Sequence, residues 1–289
     1  MFTRKSACSM RRSILPITVV AFFLLSNLRA IGQGTELGIM GGTSLYSGDL
    51  SPKEFGLYFE DVSPAFGVFG RFNVNSTFAL RLGVSIGKVS ANDNNHDRQD
   101  RGLNFRSNIT EFALTGELNI FKLGSYQDRG VMPYVFGGVA VFNFSPEASF
   151  DGDYIELQPL GTEGQGLPGY EAPYKLTEFA IPVGLGVKFL LNDVITLGVE
   201  FGGRKLFTDY LDDVSDAQVN YFDVLEGNGE LAAQLSNPTL KDPSPDTADY
   251  RRGGKYNDWY YIGGVTLSFR LQGSGGGFGK GKGIGCPTF

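Results

Sequence analysis

The chain has 289 residues, a formal net charge of −6, 41 glycines, 24 phenylalanines and 13 tyrosines. An acidic balance argues against nucleic acid as a partner, and glycine with aromatics at this level favours sheet over a helical bundle. Beyond the N-terminal segment no run approaches the roughly eighteen apolar residues of a membrane-spanning helix.

Residues 1–32 read as a cleavable signal peptide. Arg4, Lys5, Arg11 and Arg12 form a basic start. Ile14 to Leu28 is an apolar run too short to cross a bilayer as a helix. Ala30 and Gly32 supply small residues at the −3 and −1 sites, which places cleavage before Gln33. The competing reading is an uncleaved anchor, and no cysteine follows a lipobox. Cleavage would remove five basic residues (Arg29 is the fifth) and no acidic ones, taking the formal charge from −6 to −11. Cys8 leaves with this segment. Cys286 is then alone, so no intrachain disulfide forms.

Eight segments follow with strand character: Glu36 to Ser47, Pro64 to Asn73, Thr77 to Ser90, Ile109 to Phe121, Pro133 to Phe144, Leu176 to Leu190, Val194 to Phe207 and Asp258 to Leu271. Most exceed the roughly 5–6 residues of soluble sheets and suit tilted membrane strands of about 9–11 residues. Phe78, Leu80, Leu82, Val84 and Ile86 share one face, opposed by Ala79, Arg81, Gly83, Ser85 and Gly87. Phe179 to Phe189, Ile195 to Phe201 and Trp259 to Phe269 repeat the alternation, as successive side chains of a strand point to opposite faces. A soluble sandwich would also alternate. The polar faces, however, are glycine-rich and carry isolated charges of both signs, as a narrow lumen requires: Arg71, Arg81, Glu111, Glu117, Lys188, Glu200, Arg204 and Arg270. Connections alternate between long loops and mostly short turns, the outer-membrane pattern.

The expected fold is therefore an all-β, eight-stranded antiparallel transmembrane β-barrel over residues 33–271, with long extracellular loops. Lipid demands that every backbone polar group be paired, which requires closure. Eight strands leave an interior that side chains nearly fill, so a plugged lumen is expected. Phe66, Phe72, Phe78, Tyr134, Phe144, Phe189, Phe207 and Trp259 are assigned to interfacial aromatic girdles. In the fourth long loop Ser215 with Gln218 could cap a short helix carrying Val219, Phe222 and Leu225, and Leu231, Ala232 and Leu235 could form another; an irregular loop is the alternative. Residues 272–289, with Lys280, Lys282 and Cys286, read as a flexible Gly-rich periplasmic tail.

Signals for chemistry are few. His96, the one histidine, sits among Asn92, Asp93, Asn94, Asn95 and Asp97, a solvated-loop setting that offers neither a triad nor a transition-metal cluster. Gly41-Gly42, Gly137-Gly138 and Gly263-Gly264 lie inside strands and make no phosphate loop. Asp209, Asp212, Asp213 and Asp216 could hold calcium by their oxygens, but the spacing is not an EF-hand and a solvated loop is the better reading. No cofactor is expected. An enzyme acting on lipid or peptide is the weakest functional class.

Several motifs carry a family likeness. Tyr46-Ser47-Gly48-Asp49-Leu50 follows the first strand, and Lys88-Val89-Ser90-Ala91-Asn92-Asp93 ends the third. Phe207 to Ser215, with Asp209, Tyr210, Asp212 and Asp213, ends the seventh, and Asn257-Asp258-Trp259-Tyr260-Tyr261 opens the eighth. Over about Thr35 to Leu271 the chain resembles the PorG-like outer-membrane proteins of the Bacteroidetes. The resemblance implies an outer-membrane component of the type IX secretion system, in contact with lipids, other outer-membrane subunits, and a periplasmic ring lipoprotein and its partner. That machinery exports cargo and serves gliding motility where present. Asp209, Tyr210, Asp212, Asp213, Trp259 and Cys286 are candidates for partner contact. The alternative is a stand-alone small barrel of the OmpA or OmpX type, for adhesion or envelope integrity.

Overall fold

Alternating apolar and small or charged residues become the two faces of one closed sheet. The computed structural model describes residues 34–51, 56–95, 101–124 and 129–271. The expected signal peptide, His96 and the Gly-rich tail with Cys286 lie outside them. The strands are β1 (Thr35–Ser47), β2 (Ser63–Asn73), β3 (Phe78–Asn92), β4 (Asn104–Asn119), β5 (Gly130–Phe150), β6 (Asp153–Glu156), β7 (Thr177–Leu190), β8 (Ile195–Leu206), β9 (Gln218–Asn220), β10 (Asp249–Arg251) and β11 (Trp259–Arg270). Two helices, α1 (Tyr221–Asn228) and α2 (Glu230–Ser236), lie between β9 and β10.

Eight strands form the barrel in the cyclic order β1, β2, β3, β4, β5, β7, β8, β11, all antiparallel neighbours. Closure comes from β1 against β11, from Glu36 opposite Arg270 to Ser47 opposite Trp259. The short β6 folds back on the far end of β5, and β9 pairs with β10 in a separate two-stranded sheet.

The apolar face points outward. Leu37, Val68, Leu82, Phe112, Val139, Leu185 and Val265 are all exposed, Leu82 at 64%. A sandwich would bury this face. Apolar surface in water costs about 25 cal/mol per Å², so a continuous apolar exterior is stable only against lipid, and the barrel is a transmembrane one. Among the described residues no helix is long and apolar enough to cross a membrane.

Toward the short-turn end, glycines make room for interior aromatic rings. A Cβ on Gly38 would sit 2.3 Å from Phe69 Cζ, and one on Gly186 2.6 Å from Tyr134 Cε1. Toward the long-loop end the lumen is filled by an apolar cluster that includes Met40, Phe105, Phe142, Phe144, Leu206 and Tyr260. A second cluster, with Val219, Val224, Ala232, Ala233 and Ala248, packs under the helices.

The structure corrects several boundaries. β4 begins at Asn104, not Ile109, and β5 runs to Phe150, not Phe144. The ladder continues past the apolar belt with polar residues outward (Asn104, Arg106, Ser145, Glu147), which hides the alternation. Tyr134 and Phe144 are no girdle residues: they are buried, because even-numbered positions of β5 face inward. The first helix starts at Tyr221 and is capped by Asn220, whose Oδ1 accepts from the amides of Phe222 (3.0 Å) and Asp223 (3.3 Å). Gln218 belongs to β9, and Phe222 is partly exposed while Tyr221 and Val224 are buried. The second helix covers the expected Leu231, Ala232 and Leu235.

A charge placed on the outer belt tests this orientation. Leu82→Arg should destabilise the barrel by roughly 2–4 kcal/mol in lipid vesicles, whereas Asn108→Arg, outward but above the belt, should cost about 1 kcal/mol or less. Reversible urea unfolding followed by Trp259 fluorescence reads both. Equal costs would contradict a lipid-facing exterior.

Candidate functional site

The lumen is sealed by ionic groups at the short-turn end. Glu117 on β4 is the hub. It accepts from Arg71 Nε on β2 (2.9 Å) and Lys188 Nζ on β7 (2.5 Å), with Arg81 Nη1 at 3.8 Å. Arg71 Nη1 also reaches Glu36 Oε2 on β1 (2.8 Å), whose other oxygen meets Arg270 Nη2 (3.3 Å) and Asn73 Nδ2 (2.9 Å). Arg81 donates to Glu200 Oε2 on β8 (2.6 Å), and the Tyr134 hydroxyl donates to the same oxygen (2.6 Å). Lys188 Nζ donates to Asn119 Oδ1 as well (2.9 Å). A separate set lies higher: Arg204 forks onto Glu111 through Nε (2.9 Å) and Nη2 (3.2 Å), and the Tyr260 hydroxyl donates to Glu111 (2.6 Å).

Four carboxylates thus meet five cations, and Arg270, at the rim, is the most exposed of the cations. All eight charges singled out in the sequence point into the barrel and share these contacts. Glu36, Tyr134 and Tyr260 were missed. Glu36 alternates in step with Gly38 and Met40, and that parity was the available signal. Between the two sets lies a cavity of about 30 Å³, lined by Arg81, Glu111, Thr115, Glu200 and Arg204 among others, polar and large enough for a water. Above it the apolar cluster with Phe142 and Phe144 fills the barrel.

At the long-loop end the loops fold into a cap. Arg101 ties three of them: it pairs with Asp93 (2.7 Å) and donates to the carbonyls of Asp49 (2.9 Å) and Arg252 (2.6 Å). Arg252 Nη1 in turn donates to Thr162 Oγ1 (2.6 Å) and the Asp213 carbonyl (2.8 Å). Thr162 donates to Asp213 Oδ2, and Tyr174 donates to Asp213 Oδ1 (2.6 Å) while stacking on Tyr210.

The aspartate-rich segment is therefore interior, not solvated. Asp212 and Asp213 are buried, as is Asp258. The Tyr46 hydroxyl faces Asp212 Oδ2 (2.5 Å) and Asp258 Oδ1 (3.0 Å). One phenolic proton cannot serve two carboxylates. A proton retained on one carboxyl satisfies the second contact, and burial, reinforced by Asp49, holds Asp212 well above the usual carboxylate range. Tyr210 and Asp209 lie beside this interior, half-buried, and Trp259 stacks on Tyr261 on the outer wall. Among the described residues no group of three or more His, Cys, Asp or Glu is placed to hold a metal ion.

Glu163 is another buried acid of the cap. It accepts from the Ser215 amide (2.9 Å) and hydroxyl (2.5 Å), with Arg252 at 3.8 Å. Burial pushes its carboxyl up to about 7, against the pull of Arg252. Asp213 is raised by burial as well.

The chain belongs to a family described as a domain of unknown function, DUF6089, whose model matches residues 15–233. No curated protein matches it. Three solved structures are similar at low identity. Neisserial surface protein A gives a TM-score of 0.43 at 8% identity, covering 82% of this chain and 97% of its own. Ail, the attachment invasion locus protein of Yersinia pestis, gives 0.37 at 9%, covering 82% and 99%. The outer membrane protein OprG from Pseudomonas aeruginosa gives 0.37 at 13%, covering 82% and 97%.

Two outcomes follow from this geometry. Glu117→Ala leaves Arg71 and Lys188 buried without their shared partner and should cost about 3–5 kcal/mol, read as a lowered urea midpoint; a loss below about 1 kcal/mol would remove Glu117 as the hub. The cap should also loosen with rising pH. The folded state keeps the Glu163 proton up to about pH 7 while the unfolded loop releases it near 4.5, so stability falls across that window and is level above it. The effect is bounded at roughly 3 kcal/mol. Hydrogen exchange of residues 211–215, corrected for intrinsic rates, should show easier opening at pH 7.5 than at 5.5, and E163Q should flatten the difference. An unchanged pH dependence in E163Q would contradict the assignment.

Proposed function

We propose that this DUF6089-family barrel is a non-enzymatic outer-membrane component of the type IX secretion machinery that acts by protein contacts. The observation that carries the contact role is the filled lumen: ion pairs at one end, the Phe142–Phe144 cluster in the middle and a folded cap at the other leave no path for cargo. A barrel that passes nothing works through its rims. The secretion role rests on the residue motifs shared with PorG-like proteins.

Orientation follows from loop length. Long loops face the cell exterior and the short turns, residues 74–77 and 191–194, face the periplasm, as in other outer-membrane barrels. The periplasmic ring lipoprotein and its partner would meet those turns. Other outer-membrane subunits would meet the wall or the cap.

The folded cap favours a second reading, a stand-alone surface barrel for adhesion or envelope integrity. Phe59 and Tyr256 are exposed on its loops, as an adhesive surface would present. Affinity purification from gently solubilised native outer membranes separates the two. The first expects the ring proteins to co-purify and a deletion strain to lose export of C-terminal-signal cargo. Consistent absence of ring proteins with normal export would leave the stand-alone barrel.

A further inference from the structure

On the outer wall, just above the apolar belt, β3, β4 and the β5–β6 hairpin enclose a polar cavity of about 490 Å³. Its lining includes Lys88, Ser90 and Asn92 from β3, Asn104 and Arg106 from β4, and Tyr154 from β6. The buried Ala91 and Phe105 form its base, and the polar lining comes from the outward-facing positions of β3 and β4. Arg106 is held in place: Nε pairs with Glu147 (2.6 Å) and the guanidinium stacks 3.2 Å from the Tyr154 ring centroid. On one side Asn95 donates to Asp61 (2.9 Å) and closes the wall.

The level of this cavity is set by register. Ile86, 54% exposed, and Phe112, 58% exposed, top the apolar belt on β3 and β4. Lys88 lies two residues beyond Ile86 on the same face, a rise of about 7 Å. Ser90, the next outward residue, pairs with Arg106. A lipid whose chains lie on Ile86 and Phe112 would therefore carry its headgroup into the cavity.

The lining selects the headgroup. Amides and hydroxyls match sugar hydroxyls, while an ammonium and a fixed guanidinium match phosphate. A phosphatidylcholine headgroup offers a single phosphodiester, shielded by its own quaternary ammonium, and no sugar hydroxyls for the amides. We propose that this cavity binds the phosphorylated saccharide headgroup of an outer-leaflet glycolipid, with Lys88 and Arg106 on phosphate and Asn92 and Asn104 on the sugar. The inference uses the membrane placement and orientation but not the secretion role, so a failed ring-protein pull-down leaves it standing.

The test uses the full chain in phosphatidylcholine nanodiscs containing a minor fraction of lipid A, an acylated bis-phosphorylated glucosamine disaccharide. Native mass spectrometry counts the lipid retained after release from the disc. Lipid A should be retained in preference to phosphatidylcholine and to its dephosphorylated form. K88E should lower retention about tenfold or more, the loss of one charge-assisted contact, K88R should restore it, and N104A should weaken it. Heat-modifiable gel mobility verifies that each variant is folded, and K88A replaces K88E if the latter misfolds. Equal retention by wild type and by K88E (or K88A in its place), or no preference for the phosphorylated lipid, overturns the site. Competition by free glucosamine phosphate as strong as by lipid A overturns the lipid source and assigns the cavity to a soluble sugar phosphate.

Discussion

Backbone pairing inside lipid is the constraint on which the rest of the structure depends. Water cannot satisfy an exposed N–H or C=O at membrane depth, so the sheet must end on itself. It does so where β11 meets β1, twelve residue pairs from Glu36 opposite Arg270 to Ser47 opposite Trp259. Closure with eight strands fixes a narrow interior. That interior makes room for Phe69 and Tyr134 with facing glycines, and it holds its charges beside their opposites. The glycine content and the inward Arg and Glu of the sequence are two consequences of one geometric requirement.

The charged layer is a condition of the fold and not a large source of its stability. Buried ion pairs roughly offset their own desolvation, and apolar packing of similar volume is often as stable. The chain uses both solutions in one lumen. Glu117, Arg71 and Lys188 sit toward the short-turn end, where the lumen nears water, and Phe142, Phe144 and Leu206 fill the half beneath the cap. The gradient from ionic to apolar means that the cap rests on a packed floor. Leu211 and Val214 insert into that apolar cluster from above, which anchors the aspartate-rich segment between them.

Sequence pattern revealed the barrel because alternation is local: Leu80, Leu82 and Val84 against Arg81, Gly83 and Ser85 can be read within one strand. The inward charges were legible for the same reason. Glu36 lies at the start of its strand, where alternation has not yet begun, and Tyr134 lies near a strand end, where an aromatic suits both the interface and the lumen until register decides. The cap was not legible. Tyr46 meets Asp212 across 166 positions and Asp258 across 212, and no local spacing signals contacts of that range. Four aspartates in eight residues look solvated unless their phenol, arginine and threonine partners are known.

That outcome changes what the family likeness can carry. Its most specific segment, Phe207 to Ser215, includes the buried Leu211, Asp212, Asp213 and Val214. Side chains held by Tyr46, Tyr174, Thr162 and Arg252 cannot also reach a partner; they set the shape of the cap. A shared motif there speaks for a shared cap fold, and it leaves partner choice to residues the motif does not contain. Those residues are on the outside: the exposed Phe59 and Tyr256 on the loops, Phe222 on α1, and the turns at the opposite end. Two barrels could keep the same aspartates and differ in every contact they make, because the interior is constrained by burial and the rim is constrained only by what it binds.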